Sequence, residues 1–286
     1  LCPNYVRGIN AMVTYPVSIY KGMKIYNLPT KFLFLRRLNL FITPEMDKLD
    51  IRSIDIVHLH DFRSYQNIIA YKLTQKYGKP YIIHAHGALS LPKNLDRVIY
   101  DFLFGYKLLK NASAVIALSE REAAQYINYG VDKEKIFVLP NGIDLPQFRT
   151  LPAKGAFRKK LGIPEDYTLF LFVGRIHKYK GLDFLVDAYA YALKNLHLKK
   201  VFLIIAGPNS GYLKGLMKKI QYHMIGEYMR YIGPLYGKEK IQAYRDADLT
   251  FSLDVVPAPI LLVPLESLAS ETPVVITKNL YLSRII

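Results

Sequence analysis

From residue 55 onward the chain alternates short apolar runs with amphipathic stretches, in the lengths expected of strand–helix units. Residues 55–59 predict a strand, 65–77 a helix closed by Gly78 and Pro80, and 81–85 the next strand. Residues 97–109 predict a helix and 114–118 a strand. Ser119 then stands as an N-cap, with Glu122 three residues on to complete a capping box, and Gly130 ends that helix. A strand at 136–139 runs into the turn Pro140-Asn141-Gly142. From 143 to 166 the pattern lapses into proline, glycine and basic residues, which marks a linker and the lead-in helix of a second domain. The alternation then resumes, with strands at 169–173, 201–206, 229–232, 249–253 and 274–277. Strands alternating with helices argue for parallel sheets. The expected architecture is α/β: two Rossmann-like domains, residues 1–150 and 151–286, sharing a cleft, with no shorter internal repeat.

One stretch in this pattern carries chemistry. In residues 169–188, LFLFVGRIHKYKGLDFLVDA, an apolar strand breaks at Gly174, and Arg175 and Lys180 flank a short loop. A helix follows, with Leu182, Leu185, Val186 and Tyr189 at helical spacing. Two cations at the carboxyl end of a strand, beside the positive end of a helix, make an anion site. Arginine offers a planar fork for phosphate oxygens and lysine a mobile point charge, a pairing that suits a diphosphate. A lone Lys and Arg would read as solvated loop residues; the Gly174 turn and Gly181 favour a site. Further along, Gly207 ends the strand VFLIIA and opens a glycine-containing loop that can admit a phosphate or base, though without a Walker pattern.

Four of the seven histidines stand in two HxH pairs, His58 with His60 and His84 with His86. Each pair shares one strand face by the two-residue period. Imidazoles so spaced can share a zinc, but apart from Asp61 no Cys, Asp or Glu stands near to complete a ligand set. Hydrogen bonding within the sheet is the expectation for His58 and His84. His86 differs, because Gly87 follows it where the strand ends. Ser119 and Asn141 also lie at strand ends, where capping and turn formation account for both.

The string FVGRIHKYKGLDFLVDA resembles the signature of the retaining glycosyltransferases of family 4, which have the GT-B fold. The likeness extends, in order, through DIVHLHDF, YIIHAHGALS, VIALSEREAAQYINYGV, KIFVLPNGID, FLIIAGPNSG, YIGPL, AYRDADL and VPLESLASETPVV, covering nearly the whole chain from Ile54. The resemblance implies a donor site for a nucleoside diphosphate sugar, with Gly174, Arg175 and Lys180 at the diphosphate and His86 at the donor sugar near the reacting centre. It places Glu266 on the ribose hydroxyls, where a carboxylate can accept two hydrogen bonds from a cis-diol; a solvated acid at a helix N-terminus is the plainer reading. Backbone around Gly233, Pro234 and Leu235 would read the base, leaving no side-chain trace of which base. His86, Arg175 and Lys180 are the expected catalytic residues, and Gly174, Arg175, Lys180, Gly207, Leu235 and Glu266 the donor-binding ones. No metal and no cofactor beyond the donor is expected.

The chain also departs from the family. Members carry two glutamates eight apart; Glu266 matches the second, but Ala258 stands for the first and Leu261 for a glycine. Leu253-Asp254 replaces the usual Pro-Ser pair. The nucleotide half of the site is therefore expected intact and the sugar half altered, which leaves a non-catalytic nucleotide-binding homologue or partner subunit as the alternative to an active transferase. Against the family pattern both ends also read as clipped, at the first βα unit and after residue 277.

Composition adds the class of partner. Thirty-nine basic against 23 acidic residues give a net charge of +16, a field that concentrates anions such as nucleotide sugars and anionic lipid. Nucleic acid is not expected, since no binding module is recognisable and the cations are scattered. Residues 30–41, TKFLFLRRLNLF, mix Lys31, Arg36 and Arg37 with Phe32, Phe34 and Phe41; they read equally as a lipid-interface segment or as a strand and core-packing turn. The single cysteine, Cys2, excludes a disulfide framework and points to a reducing compartment. No run of about 18 apolar residues occurs, so no membrane span is expected. The expected address is the cytoplasm, with peripheral contact at the inner face of the membrane. The expected partners are the nucleotide-sugar donor and a glycan, lipid-linked or small-molecule acceptor.

Overall fold

The computed structural model describes residues 2–3, 5–6, 11–12, 17–20, 22–31, 41–89, 94–255 and 262–278. Contacts divide the chain into two compact units, Leu1–Pro140 and Asn141–Ile286. The basic aromatic run at 32–40, together with Ala258 and Leu261, lies outside the described residues.

The first unit opens with short strands β1 (Cys2–Pro3), β2 (Tyr5–Val6), β3 (Ala11–Met12), β4 (Val17–Tyr20) and β5 (Met23–Leu28). β4 and β5 form an antiparallel hairpin, and β5 also pairs in parallel with β1. Its main sheet comes from β6 (Val57–His60), β7 (Tyr81–His84), β8 (Ala114–Ala117) and β9 (Ile136–Val138), all parallel and in that order. Helices α1 (Tyr65–Tyr77), α2 (Leu95–Tyr100), α3 (Tyr106–Lys110) and α4 (Glu120–Asn128) connect them. Leu59, Ile83 and Val115 from the sheet pack with Ile69, Leu73, Leu108 and Tyr126 from the helices in one buried core. α1 has the ends its sequence predicts: the Ser64 side chain accepts from Asn67 N, and Gly78 closes it in the left-handed region.

The expected single helix over 97–109 is interrupted by a π-helical turn, Asp101–Gly105. The wider turn carries the Asp101 carboxylate to Arg63, whose Nε and Nη2 each donate at 2.8 Å, and to the Tyr129 hydroxyl at 2.6 Å. Asp101 is buried, so this ion pair survives only because both carboxylate oxygens are satisfied.

The second unit is entered through a 3-10 turn, Leu145–Phe148, and α5 (Ala156–Leu161). Buried Asp246 holds that entry by accepting from the backbone N–H groups of Gly155, Phe157 and Arg158. This contact gives the AYRDADL motif a physical purpose: an acid on a later helix caps the first helix of the unit. The sheet consists of β10 (Thr168–Val173), β11 (Val201–Ala206), β12 (Met229–Tyr231), β13 (Leu249–Ser252) and β14 (Val274–Ile276). Between them lie α6 (Leu182–Asn195), α7 (Leu213–His223), α8 (Gly237–Asp246) and α9 (Leu262–Ala269). All pairs are parallel, in the order β12-β11-β10-β13-β14. Counted along the chain this is the Rossmann order, and its direction reverses between β10 and β13. Open α/β sheets bind ligands at the carboxyl ends of strands at such a switch point.

Candidate functional site

At that switch point lies a concave site. It is lined by Phe172, Val173, Gly174, Arg175, Lys180, Ser252, Asp254, Leu262 and Val263, contributed by the ends of β10 and β13, the loop after β10, and the start of α9. The loop keeps its shape because Ile176, between Arg175 and His177, is fully buried in the core of the unit. Ile176 N donates to Pro208 O, and Ser210 N donates to Ile176 O. With Ile176 pointing inward, Arg175 projects outward and is exposed. Gly181 then starts α6 in the left-handed region, pressed so closely on β13 that a Cβ there would lie 2.1 Å from Leu253 O. The four helical positions expected to be apolar contacts, Leu182, Leu185, Val186 and Tyr189, are all buried.

The two cations differ. Arg175 has no ion-pair or hydrogen-bond partner among the described residues. Lys180 is largely buried, and its Nζ donates to Asp254 Oδ1 at 2.5 Å. An ammonium has three N–H donors, so this contact uses one and leaves two for a phosphate. Nothing in the window 169–188 signals this pairing. Its only trace in the sequence is the acid at position 254 where the resembled family has Pro-Ser.

Gly207 is not a flexible element. With φ at 149° it lies against Gly174, and a Cβ on it would stand 1.7 Å from Gly174 O. Gly174 N donates to Ala206 O, and Gly207 N to Gly233 O, so the three strand ends are stitched together. Leu235 buries its side chain in the core, leaving only backbone for contact with a ligand. Glu266 lies in the middle of α9, not at its start. Its carboxylate accepts from Lys240 Nζ at 2.6 Å and from the Tyr244 hydroxyl at 3.1 Å. It is therefore neither solvated nor a helix-end acid. It stands one turn beyond Leu262 and Val263, which line the site.

In the first unit the register of β6 on β7 sets His60 opposite His84 and brings the two HxH pairs together. The His58 and His60 rings stack with centroids 4.4 Å apart, and those of His84 and His86 at 3.7 Å. His60 Nδ1 and His86 Nε2 share a hydrogen bond at 2.8 Å. His86 has φ at 52°, a left-handed conformation that costs a non-glycine residue about 1–3 kcal/mol and tends to mark functional sites. Buried Glu122 holds this turn by accepting from Gly87 N at 2.6 Å and Leu118 N at 2.7 Å. Burial raises the Glu122 pKa against those two donors. The expected capping box is thus half formed: the Ser119 hydroxyl accepts from Glu122 N, while the Glu122 carboxylate serves the His86-Gly87 turn instead.

The expectation that His84 is hydrogen-bonded within the sheet fails at one atom, since its Nε2 is buried without a partner. An unsatisfied buried polar atom costs about 1–3 kcal/mol. Burial pushes the His84 imidazole down to about 4, with the neighbouring His86, His60 and His58 rings adding to the shift. Burial likewise lowers His58 and His86, so these rings are neutral at pH 7.

Comparison with known proteins identifies the class. The model of the glycosyl transferases group 1 matches residues 153–286, and that of Glycosyltransferase Family 4 matches residues 7–147. The chain belongs to this glycosyltransferase family. A D-inositol 3-phosphate glycosyltransferase of Actinosynnema mirum is 31% identical over 241 residues, which are 77% of this chain and 55% of that protein. An uncharacterized glycosyltransferase of Methanocaldococcus jannaschii is 27% identical over 275 residues, covering 90% of this chain and 67% of the relative. The chain spans about half the length of the curated inositol phosphate glycosyltransferases it matches. Anabaena Alr3699/HepE in complex with UDP and glucose aligns with a TM-score of 0.75 at 20% identity, over 93% of this chain and 70% of that one. The E. coli trehalose-6-phosphate protein bound with UDP-2-fluoro glucose gives 0.71 at 12% identity, over 95% and 76%. These likenesses establish the GT-B fold class that the sequence motifs imply.

Proposed function

We propose that this chain transfers a sugar from a nucleoside diphosphate sugar, of the UDP type, to an acceptor hydroxyl with retention of configuration. The observation that carries the reading is the rigid loop at the β10/β13 switch point, which presents Arg175 and Lys180 beside the N-terminus of α6. The UDP and UDP-sugar complexes of the similar structures support the uridine donor. As the glycosidic bond breaks, its electron pair passes to the β-phosphate oxygen and the sugar gains oxocarbenium character. Arg175 and Lys180 meet the charge gathering on the diphosphate, so its departure needs no metal. Each preorganised donor of this kind typically lowers the barrier by about 2.7–4 kcal/mol. The acceptor oxygen attacks from the face the diphosphate leaves, and its proton passes to the departing phosphate. Glu266, one turn along α9, is the ribose contact in this reading, with Lys240 and Tyr244 holding its carboxylate.

His86 contacts the donor sugar. Its held left-handed turn and its bond to His60 support a functional role over a packing one. His86→Ala is expected to reduce turnover about 10²-fold while UDP affinity stays within about twofold, the mark of an interaction made mainly in the transition state. Equal losses in both would return His86 to a structural role.

The direct test is to incubate the protein with a panel of UDP-sugars and acceptors and follow UDP release and product mass. Calorimetry measures UDP affinity in parallel. Binding of UDP without turnover of any sugar would favour the nucleotide-binding homologue, a reading that rests on Ala258 in place of the family's first glutamate. Absence of UDP binding would remove the donor-site assignment altogether. The same proposal sets the protein in the cytoplasm with peripheral contact to anionic lipid. The lone cysteine and the +16 charge support this, and among the described residues no helix is long and apolar enough to cross a membrane.

A further inference from the structure

We infer that His58, His60 and His84 form a binding site for a divalent transition-metal ion, with His86 held behind it through His60. The three rings each offer one nitrogen, and these atoms lie within 4.8 Å of one another. They come from two adjacent parallel strands, His60 and His84 at the last positions and His58 two residues earlier. The His60–His84 register fixes their backbones, and the rings of His58 and His60 are exposed. Around a zinc ion with nitrogens at about 2.0–2.1 Å, neighbouring ligand atoms stand about 3.4 Å apart. Closing the difference requires the exposed His58 ring to turn out of its stack on His60, while His60 stays bonded to His86.

A second observation points to a ligand independently of the clustering. His84 is 8% exposed, and its Nε2 is buried with no hydrogen-bond partner. Buried ring nitrogens are ordinarily paired, and a coordinated ion is one of the few partners a stack of imidazoles can share. The hydrogen bond between His60 Nδ1 and His86 Nε2 completes the arrangement. Bound through Nε2, His60 donates its Nδ1 proton outward, as metal-ligating histidines do, and His86 is the acceptor that fixes its tautomer. A neutral His86 that accepts at Nε2 must carry its own proton on Nδ1.

The ligand chemistry selects the ion. Three imidazole ligands suit zinc, cobalt, nickel or copper rather than magnesium or calcium, which take oxygen ligands. Three histidines leave a fourth position open to water. Sequence spacing alone did not reveal this site, because each HxH pair offers two ligands and only strand pairing joins the pairs. The site uses residues of the first unit, whereas Arg175 and Lys180 belong to the second. Its failure would therefore leave the glycosyl-transfer reading standing.

The test uses tag-free protein stripped with chelator and titrated with zinc against a chromogenic competitor, and with cobalt followed by its visible absorption. One ion per chain is expected, with a cobalt band of four-coordinate intensity. His58→Gln and His60→Gln, both at exposed positions that leave the core untouched, are expected to weaken uptake about 10- to 100-fold. His177→Ala and His197→Ala, in the other unit, leave it unchanged. His84→Ala should abolish uptake, and the two exposed variants keep the test decisive if that one misfolds. Failure to take up stoichiometric zinc or cobalt, or uptake that survives the combined loss of His58 and His60, overturns the assignment.

Discussion

Lys180→Ala is expected to weaken nucleoside diphosphate binding about 10- to 100-fold and to destabilise the second unit by about 3–5 kcal/mol. Arg175→Ala should match the first effect and lack the second. Both side chains offer a charge-assisted bond to the diphosphate, but only Lys180 neutralises a buried neighbour. Asp254 is 4% exposed, and without the lysine its carboxylate would be buried and unpaired at the mouth of an anion site. Arg175 is exposed and has no partner among the described residues, so its truncation falls among surface changes of within about 0.5 kcal/mol. The double change Lys180→Ala with Asp254→Ala should recover most of the stability and none of the affinity. Asp254→Asn alone, which keeps the shape and removes the negative charge, should bind UDP more tightly than the parent. Urea unfolding with calorimetry on the four variants decides the matter; equal stability of Lys180→Ala and Arg175→Ala would deny the Lys180–Asp254 pair its structural weight.

Gly207→Ala is expected to cost on the order of 4 kcal/mol or more, enough to prevent folding of the second unit under ordinary conditions. No side-chain rearrangement can relieve the clash, because the atom met at 1.7 Å is the backbone oxygen of Gly174. Relief requires β10 and β11 to part at their carboxyl ends, where Gly174 N bonds Ala206 O and Gly207 N bonds Gly233 O. Gly211→Ala serves as the comparison: it too has positive φ, but a Cβ there meets nothing within 4 Å, so its cost is the backbone conformation alone. A melt of Gly207→Ala indistinguishable from that of Gly211→Ala would show that the strand ends yield more easily than the packing implies.

The parallel sheets were legible because buried strands such as 201–206 are continuous apolar runs and their helices carry plain stop signals. Only their edges moved: β6 begins at Val57 rather than Asp55, since pairing with β7 starts from Tyr81. The β4–β5 hairpin gave no usable signal. Its apolar residues, Ile19 among them at 78% exposed, do not sort into a buried and a solvent face. The π-helical turn at Asp101–Gly105 was illegible for a different reason. It answers to Arg63, 38 residues earlier, and local periodicity carries no record of such a partner. The same division runs through the site. The glycine turn and its two cations stand within one short window and could be read there. The Asp254 counter-charge and the joining of the two histidine pairs depend on which strands become neighbours, which spacing does not encode.

The Rossmann strand order also has a consequence in time. β10 is the central strand of its sheet but the first of the five to leave the ribosome, and Asp254 follows Lys180 by 74 residues. At a synthesis rate of about 5–20 residues per second, the loop waits roughly 4–15 s for its counter-charge. During that interval one edge of β10 can find β11, but the other has no native neighbour until β13 emerges. The nascent chain therefore passes through a stage with an open apolar strand edge beside an uncompensated lysine, and a polyanion or a chaperone would meet it there before any nucleotide could bind.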